Sequence, residues 1–362
     1  MGIVRTDDSR KIEIEEFRRM LVTCAGLHRK KDEEEFMGRR RLTAGAENDD
    51  AQDKLVCVTS GVSFLGLAIV NQLLRRGYSV RIVVNNEEDI EKLREMELSG
   101  EMRGTNSRIG AVMAKLTDAE SLMEAFSGCY GVFHTAAFID PAGLSGYSKS
   151  MSEIEVKATE TVTKACATAP SVRYCVLTSS LLACVWQNNS LGNVSPVINH
   201  DCWSDESVCT EKKLWFALGK LKAEKAAWRV AEETGLKLVT LCPGLIAGPE
   251  FFRRNSTSTI AYLKGAQEMY ANGSLASADV DRVAEAHVCV FEAMNETASG
   301  RYICFDQVIA CEDDVAKLAR ETEMQINTIA ENVYSNSPTR FTLSNSKLSR
   351  LVSRTLRCND EF

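Results

Sequence analysis

Residues 55–66 read LVCVTSGVSFLG. A short β-branched run, a tight turn and a glycine opening a second apolar run specify strand, turn and helix. A dinucleotide-binding unit begins in this way, and its turn ordinarily carries three glycines at fixed spacing. Here Ser60 and Ser63 stand at two of those positions, and only Gly66 is kept. The first glycine of such a turn permits the bend, the second admits the pyrophosphate, and the third lets helix and strand pack closely. Gly61 is adjacent but out of register; on this reading it serves the bend and not the phosphate.

Working outward, KLVCVT (54–59) is followed by five more strand patterns: YSVRIVV (78–84), IGAVMA (109–114), YGVFHTA (130–136), VRYCVLTSS (172–180) and LKLVTLC (236–242). Amphipathic stretches at 64–76, 87–97, 119–127, 153–169 and 212–234 lie between them. The alternation predicts an α/β fold, a doubly wound parallel (Rossmann) sheet with strand order 3-2-1-4-5-6. Residues 54–249 are expected to form this NAD(P)-binding domain. Residues 250–362, with 185–212, are expected to form a smaller substrate lobe over the carboxyl ends of the strands, where ligands bind in such sheets.

Residues 1–53 differ in character. Ile14, Phe17, Leu21 and Cys24 recur at helical spacing, which predicts one amphipathic helix near 10–28, expected to dock on the main domain. A partner-binding helix is the alternative. Charge runs such as RKKDEEE and ENDD mark 29–53 as a linker.

At 362 residues and 44% apolar, the chain can bury one large core or two linked ones. A net charge of -7 argues against nucleic acid as a main partner. No apolar run reaches the length of a membrane span, and the charged N-terminus is unlike a secretory signal. Thirteen cysteines without a C-x-x-C pair read as reduced thiols, and four scattered histidines provide no metal-ligand spacing. A cytoplasmic protein without a metal is expected.

Several motifs then agree in one order. They are Gly128-Cys129 with Gly131-Val132-Phe133-His134-Thr135-Ala136-Ala137, Thr178-Ser179-Ser180, and Cys202-Trp203-Ser204-Asp205 with Cys209. Gly219-Lys220 with Ala223-Glu224-Lys225-Ala226-Ala227-Trp228 follows, then Pro243 with Gly248-Pro249, Val283-Ala284-Glu285-Ala286-His287, and Ser299-Gly300-Arg301-Tyr302. From about Lys54 to Leu351 the chain resembles the plant cinnamoyl-CoA reductase and dihydroflavonol reductase group of extended short-chain dehydrogenases. Within that group it is most similar to the cinnamoyl-CoA reductase-like branch linked to plant defence.

The resemblance implies reduction of a carbonyl or acyl thioester with NADPH by a Ser, a Tyr and a Lys. The Tyr hydroxyl protonates the developing oxyanion, and the Lys one helical turn on lowers the Tyr pKa and bonds the nicotinamide ribose. The Ser orients the carbonyl. Ser180 and Lys220 match the Ser and the Lys, but Phe216 fills the Tyr position. None of the eight tyrosines has a lysine four residues later, which leaves a donor from elsewhere in the fold or a bound water.

For the cofactor, the resemblance implies Thr59, Ser60, Gly61, Ser63, Phe64, Leu65, Gly66, Thr135, Ala136, Ala137, Lys220 and Pro243 around the dinucleotide. Asn85 stands where an Arg grips the 2′-phosphate, Lys92 survives at the supporting position, and Lys115 replaces an Asp that accepts from the adenine amine. Arg282 replaces an Asp, with an expected effect on lobe packing.

The substitutions fall on groups that touch cofactor or protonate substrate, while the apolar periodicities are intact. The expectation is a reductase fold with weak or lost NADP binding, weak or absent turnover and a binding or regulatory role. Its partner would be a phenylpropanoid-type small molecule or a protein. The competing expectation is an active NADP-dependent reductase with a proton donor other than a tyrosine at position 216.

Overall fold

The computed structural model describes residues 54–103, 108–135, 147–188, 196–248, 261–322 and 341–359. The helix expected near 10–28, the linker over 29–53, and Ala136 and Ala137 lie outside the described residues.

Seven strands form one parallel sheet: β1 (Leu55–Val58), β2 (Ser79–Val84), β3 (Ile109–Met113), β4 (Gly131–His134), β5 (Tyr174–Thr178), β7 (Lys237–Pro243) and β10 (Gly300–Cys304). Their order across the sheet is β3-β2-β1-β4-β5-β7-β10. Counted along the chain this is 3-2-1-4-5-6 with a seventh strand added beyond the sixth. β1 lies inside the sheet, with Val56 paired to Val80 of β2 and to Gly131 of β4. The chain reverses direction of travel there, so the crevice beyond β1 and β4 is the switch point where ligands bind.

Val56, Cys57 and Val58 are all fully buried, because helices cover both faces and the strand has no solvent side. Successive side chains enter different cores: Val56 and Val58 enter one, Cys57 the other. On the first face lie α1 (Phe64–Arg75), α2 (Glu87–Leu98) and α9 (Val280–Ala293). Phe291 of α9 meets the rings of Tyr78, Tyr130, Phe133 and Tyr174. On the second face, α3 (Ala119–Phe126), α4 (Lys149–Thr168) and α7 (Trp215–Thr234) contribute Leu122, Phe126, Val162, Cys166, Ala227 and Ala231.

Two expected boundaries shift. The helix expected at 153–169 begins at Lys149, where the Ser148 hydroxyl accepts from the Met151 N–H. The pattern at 212–234 is broken: α6 (Glu206–Glu211) ends, Lys213 takes a left-handed φ of 54°, and α7 starts at Trp215.

The division of the chain at residue 249 does not follow the sheet. α9 and β10 lie beyond it, yet β10 pairs with β7 and α9 packs beside α1. Arg301 explains why β10 is hard to read, since a charge in mid-strand interrupts the apolar run while its side chain is buried against Glu224. Away from the main sheet, β8 (Leu245–Ala247), β9 (Ala276–Asp279) and β11 (Gln307–Val308) form a small sheet. β6 (Val197–Ile198) pairs with β12 (Thr342–Leu343), joining the 185–212 region to the C-terminal segment. Among the described residues no helix is long and apolar enough to cross a membrane.

Candidate functional site

The turn after β1 closes on itself. The Ser60 carbonyl accepts from the Ser63 N–H at 3.0 Å and from the Ser63 hydroxyl at 2.7 Å. The Ser63 oxygen in turn accepts from the Gly66 N–H at 3.1 Å, capping α1 with the protein's own side chain. A helix N-terminus that would present N–H groups to a pyrophosphate is thus partly satisfied internally, and the Ser63 hydrogen is also committed. A Cβ on Gly66 would lie 1.8 Å from the Ser60 carbonyl oxygen, so only glycine fits there. Gly61 meets a different demand from the one expected. Its φ is not left-handed, and a Cβ would come 2.7 Å from Ile82 of β2. It is a packing glycine.

At the adenosine end, Asn85 is exposed just after β2, and its backbone N–H donates to Asp89 at 2.9 Å. Asn86 caps α2 by accepting from the Asp89 N–H. Lys92, the cation expected to support a phosphate, is paired with Glu88 at 2.8 Å. The first turn of α2 carries Glu87, Glu88 and Asp89. A 2′-phosphate placed here would meet three carboxylates and a cation already paired with one of them, an unfavourable field for an anion. Lys115 is exposed beyond β3, with its backbone N–H donating to Ser121 at 3.3 Å.

The centre of the crevice holds several polar groups at hydrogen-bonding distance. Thr59, the residue after β1, shares a hydrogen bond with His134 Nδ1 at 3.0 Å and accepts from the Thr135 N–H at 3.3 Å. The Thr135 hydroxyl is buried with no partner among the described residues. Such a group costs about 1–3 kcal/mol unless something bonds it, so this point fits a polar ligand atom. Ser180, just past β5, accepts from the Leu182 N–H at 3.2 Å and still has a hydrogen to donate. The Pro243 carbonyl accepts from the Leu181 N–H at 2.8 Å, tying β7 to the same corner. The residues present fit the middle of a dinucleotide, and at its 2′-phosphate end the nearby Lys92 is paired with Glu88 on the surface.

Phe216 and Lys220 lie one turn apart on α7, with Lys220 Nζ 5.7 Å from the centre of the Phe216 ring. Sequence reasoning missed two neighbours. Tyr147 packs edge-on against Phe216, centroids 5.0 Å apart. Its hydroxyl donates to Glu155 of α4, whose other oxygen pairs with Lys220 Nζ at 2.6 Å. A phenol therefore does stand beside Phe216. Burial first, then the Glu155 charge, pushes the Tyr147 pKa well above the ordinary phenol value. That direction is wrong for a proton donor at neutral pH. Glu155 could have been suspected from sequence, because it falls in register with Ser152, Thr159 and Val162 on the buried side of α4, where a carboxylate needs a partner.

Other motif residues prove to be structural. Glu224 of α7, fully buried, accepts from Ser179 and Thr240 at 2.6 Å each and pairs with Arg301 Nε at 2.7 Å. Arg301 also donates to the carbonyls of His200 and Cys202 and lies 3.5 Å from the Trp203 ring centre. This group clamps the loop of the smaller lobe to the sheet. Arg282 reaches Asp306 at 3.3 Å, linking α9 to the residue before β11.

The parallel sheet with its switch point at β1 and β4 is the fold of an oxidoreductase of the short-chain dehydrogenase type. Residues 57–326 match the 3-beta hydroxysteroid dehydrogenase/isomerase family. The chain belongs to that family and, within it, to the cinnamoyl-CoA reductase and dihydroflavonol reductase-like group. Cinnamoyl-CoA reductase 1 of Petunia hybrida is 37% identical over 306 residues, spanning 82% of this chain and 86% of its own. Vestitone reductase from alfalfa superposes with a TM-score of 0.58 at 27% identity, covering 82% of this chain and 91% of its own. A yeast methylglyoxal/isovaleraldehyde reductase solved with NADPH has the same fold, with a TM-score of 0.62 at 20% identity over 83% of this chain and 93% of that one.

Proposed function

We propose that the chain is a cinnamoyl-CoA reductase-like fold in which turnover is weak or absent and binding has become the function. The ligand is a phenylpropanoid-type small molecule, or a protein partner, in a plant defence context. One observation carries this reading: Phe216 holds the proton-donor position, and the nearby phenol of Tyr147 is committed to Glu155. Loss of general acid catalysis lowers a rate by about 10²–10⁴-fold. NADP binding is weak on this reading, because Ser63 caps the turn and Lys92 is paired with Glu88. The described cysteines are free thiols, which supports a reducing compartment such as the cytoplasm.

An active NADP-dependent reductase is the second reading, favoured by Ser180 and Lys220 and by the unpartnered Thr135 hydroxyl. NADPH consumption by the purified protein with a hydroxycinnamoyl-CoA and with a dihydroflavonol separates the two. Turnover well below about 1 s⁻¹ with both supports the binding role; an ordinary enzyme rate, about 1 s⁻¹ or more, discards it.

A further inference from the structure

Lys220 and Glu155 come from helices that meet closely, and Gly219 is what lets them. A Cβ at residue 219 would lie 3.1 Å from the Tyr147 hydroxyl and 3.1 Å from Ser152 Cβ, tighter than helix neighbours ordinarily tolerate. In that contact the side chains of Lys220 and Glu155 are only 7% and 2% exposed. The titratable groups facing Lys220 are Glu155 on α4, Tyr147 just before α4, and His134 at the end of β4. The His134 pKa is lowered to about 3, chiefly by burial and then by the Lys220 charge.

A lysine one turn from a phenol assists proton transfer because its charge favours the phenolate, lowering a nearby pKa by about one to three pH units. A carboxylate 2.6 Å from that ammonium turns the charge into a short dipole, whose field falls off much faster with distance. We propose that Glu155 is a positioning residue that offsets the Lys220 charge on the side of residue 216, holding its ammonium in a buried pair so that no phenol at position 216 is activated. The proposal rests on the binding-protein reading of the site. It adds that the site is disabled at Glu155 as well as at Phe216.

The test needs neither cofactor nor substrate. In the Phe216→Tyr variant, the ionisation of the introduced phenol is followed by ultraviolet difference titration against the same protein with Phe216 retained, in each Glu155 and Lys220 background, so that the Tyr147 signal subtracts out. It is expected at about pH 10 or above, as for an unassisted phenol. Adding Glu155→Gln should lower it by about one pH unit or more, whereas adding Glu155→Asp, which keeps the charge, should leave it near the single variant. An introduced phenol that already titrates below about pH 9, or one unmoved by Glu155→Gln, overturns the proposal.

Should the Gln variant fail to fold, Phe216→Tyr with Glu155→Leu and Lys220→Met replaces the pair by apolar residues, a change that buried pairs commonly tolerate. If Lys220 is already cancelled, the phenol then titrates within about half a pH unit of Phe216→Tyr alone; a rise of about one unit or more overturns the proposal. Ordinary wild-type turnover would remove the binding-protein reading and leave this titration to be judged by itself.

Discussion

On the proposed reading Phe216 lacks the one oxygen that would donate the proton, and its consequences depend on what surrounds it. Restoring the hydroxyl by Phe216→Tyr should yield barely measurable reduction of a hydroxycinnamoyl-CoA or dihydroflavonol, because on the proposed reading the self-bonded turn at Ser60 and Ser63 weakens cofactor binding and Glu155 still pairs Lys220. Adding Ser60→Gly, Ser63→Gly and Asn85→Arg should raise the rate further in the NADPH-consumption assay. A single variant matching the fourfold one at a readily measured rate would show that the cofactor side is intact. Asn85 supports a separate expectation. Asn85→Arg supplies a charge-assisted contact to phosphate, about 1.5–3 kcal/mol or roughly tenfold to a hundredfold, to NADPH and not to NADH. Calorimetric titration with both dinucleotides measures it; equal gains for the two would place the 2′-phosphate elsewhere.

At the scale of elements, the decisive join is between α7, β10 and the loop at 199–204. Glu224 and Arg301 come from α7 and β10, with side chains 0% and 7% exposed, and Arg301 reaches on to the carbonyls of the loop. Arg301→Met leaves a buried carboxylate without its cation and should cost about 3–5 kcal/mol, read as a lower denaturation midpoint. The paired change Glu224→Leu with Arg301→Met should recover much of that loss. A harmless Arg301→Met would mean that the carboxylate does not need the pair. Motif residues such as Glu224 and Arg301 carry no sign in the sequence of whether they bind ligand or brace the fold. Only their pairing across 77 positions separates the two.

For the molecule as a whole, acid stability follows from two buried histidines. Burial lowers the His287 pKa to about 4 from 6.5, and burial together with the Lys220 charge lowers that of His134 to about 3 from 6.5. The unfolded chain takes up these protons first as pH falls. Their stabilising contribution is therefore full above pH 6.5 and is lost progressively toward pH 4 and below. Each group adds a slope of about 1.4 kcal/mol per pH unit in that window. Thermal melts should fall steadily from pH 6.5 to pH 4, and His287→Gln should flatten the slope while lowering the plateau. An unchanged slope in the variant would mean that His287 is not neutral in the fold.

Across these scales, the sequence by itself determined the strand–turn–helix start, the parallel sheet and its strand order. Those follow from short-range periodicity and from the handedness of βαβ crossovers, which leave few arrangements open. Ser180, Lys220 and Phe216 were singled out by the resemblance alone, and helical periodicity adds only that the last two lie one turn apart on α7. The tertiary structure alone decided that β10 joins the main sheet, that Gly61 serves packing against Ile82, and that Glu155 and Tyr147 surround Lys220. The physical reason is common to all of these. Each depends on groups distant in the chain brought together by helix and sheet packing, and a carboxylate 65 positions before a lysine has no periodicity that announces the ion pair they form.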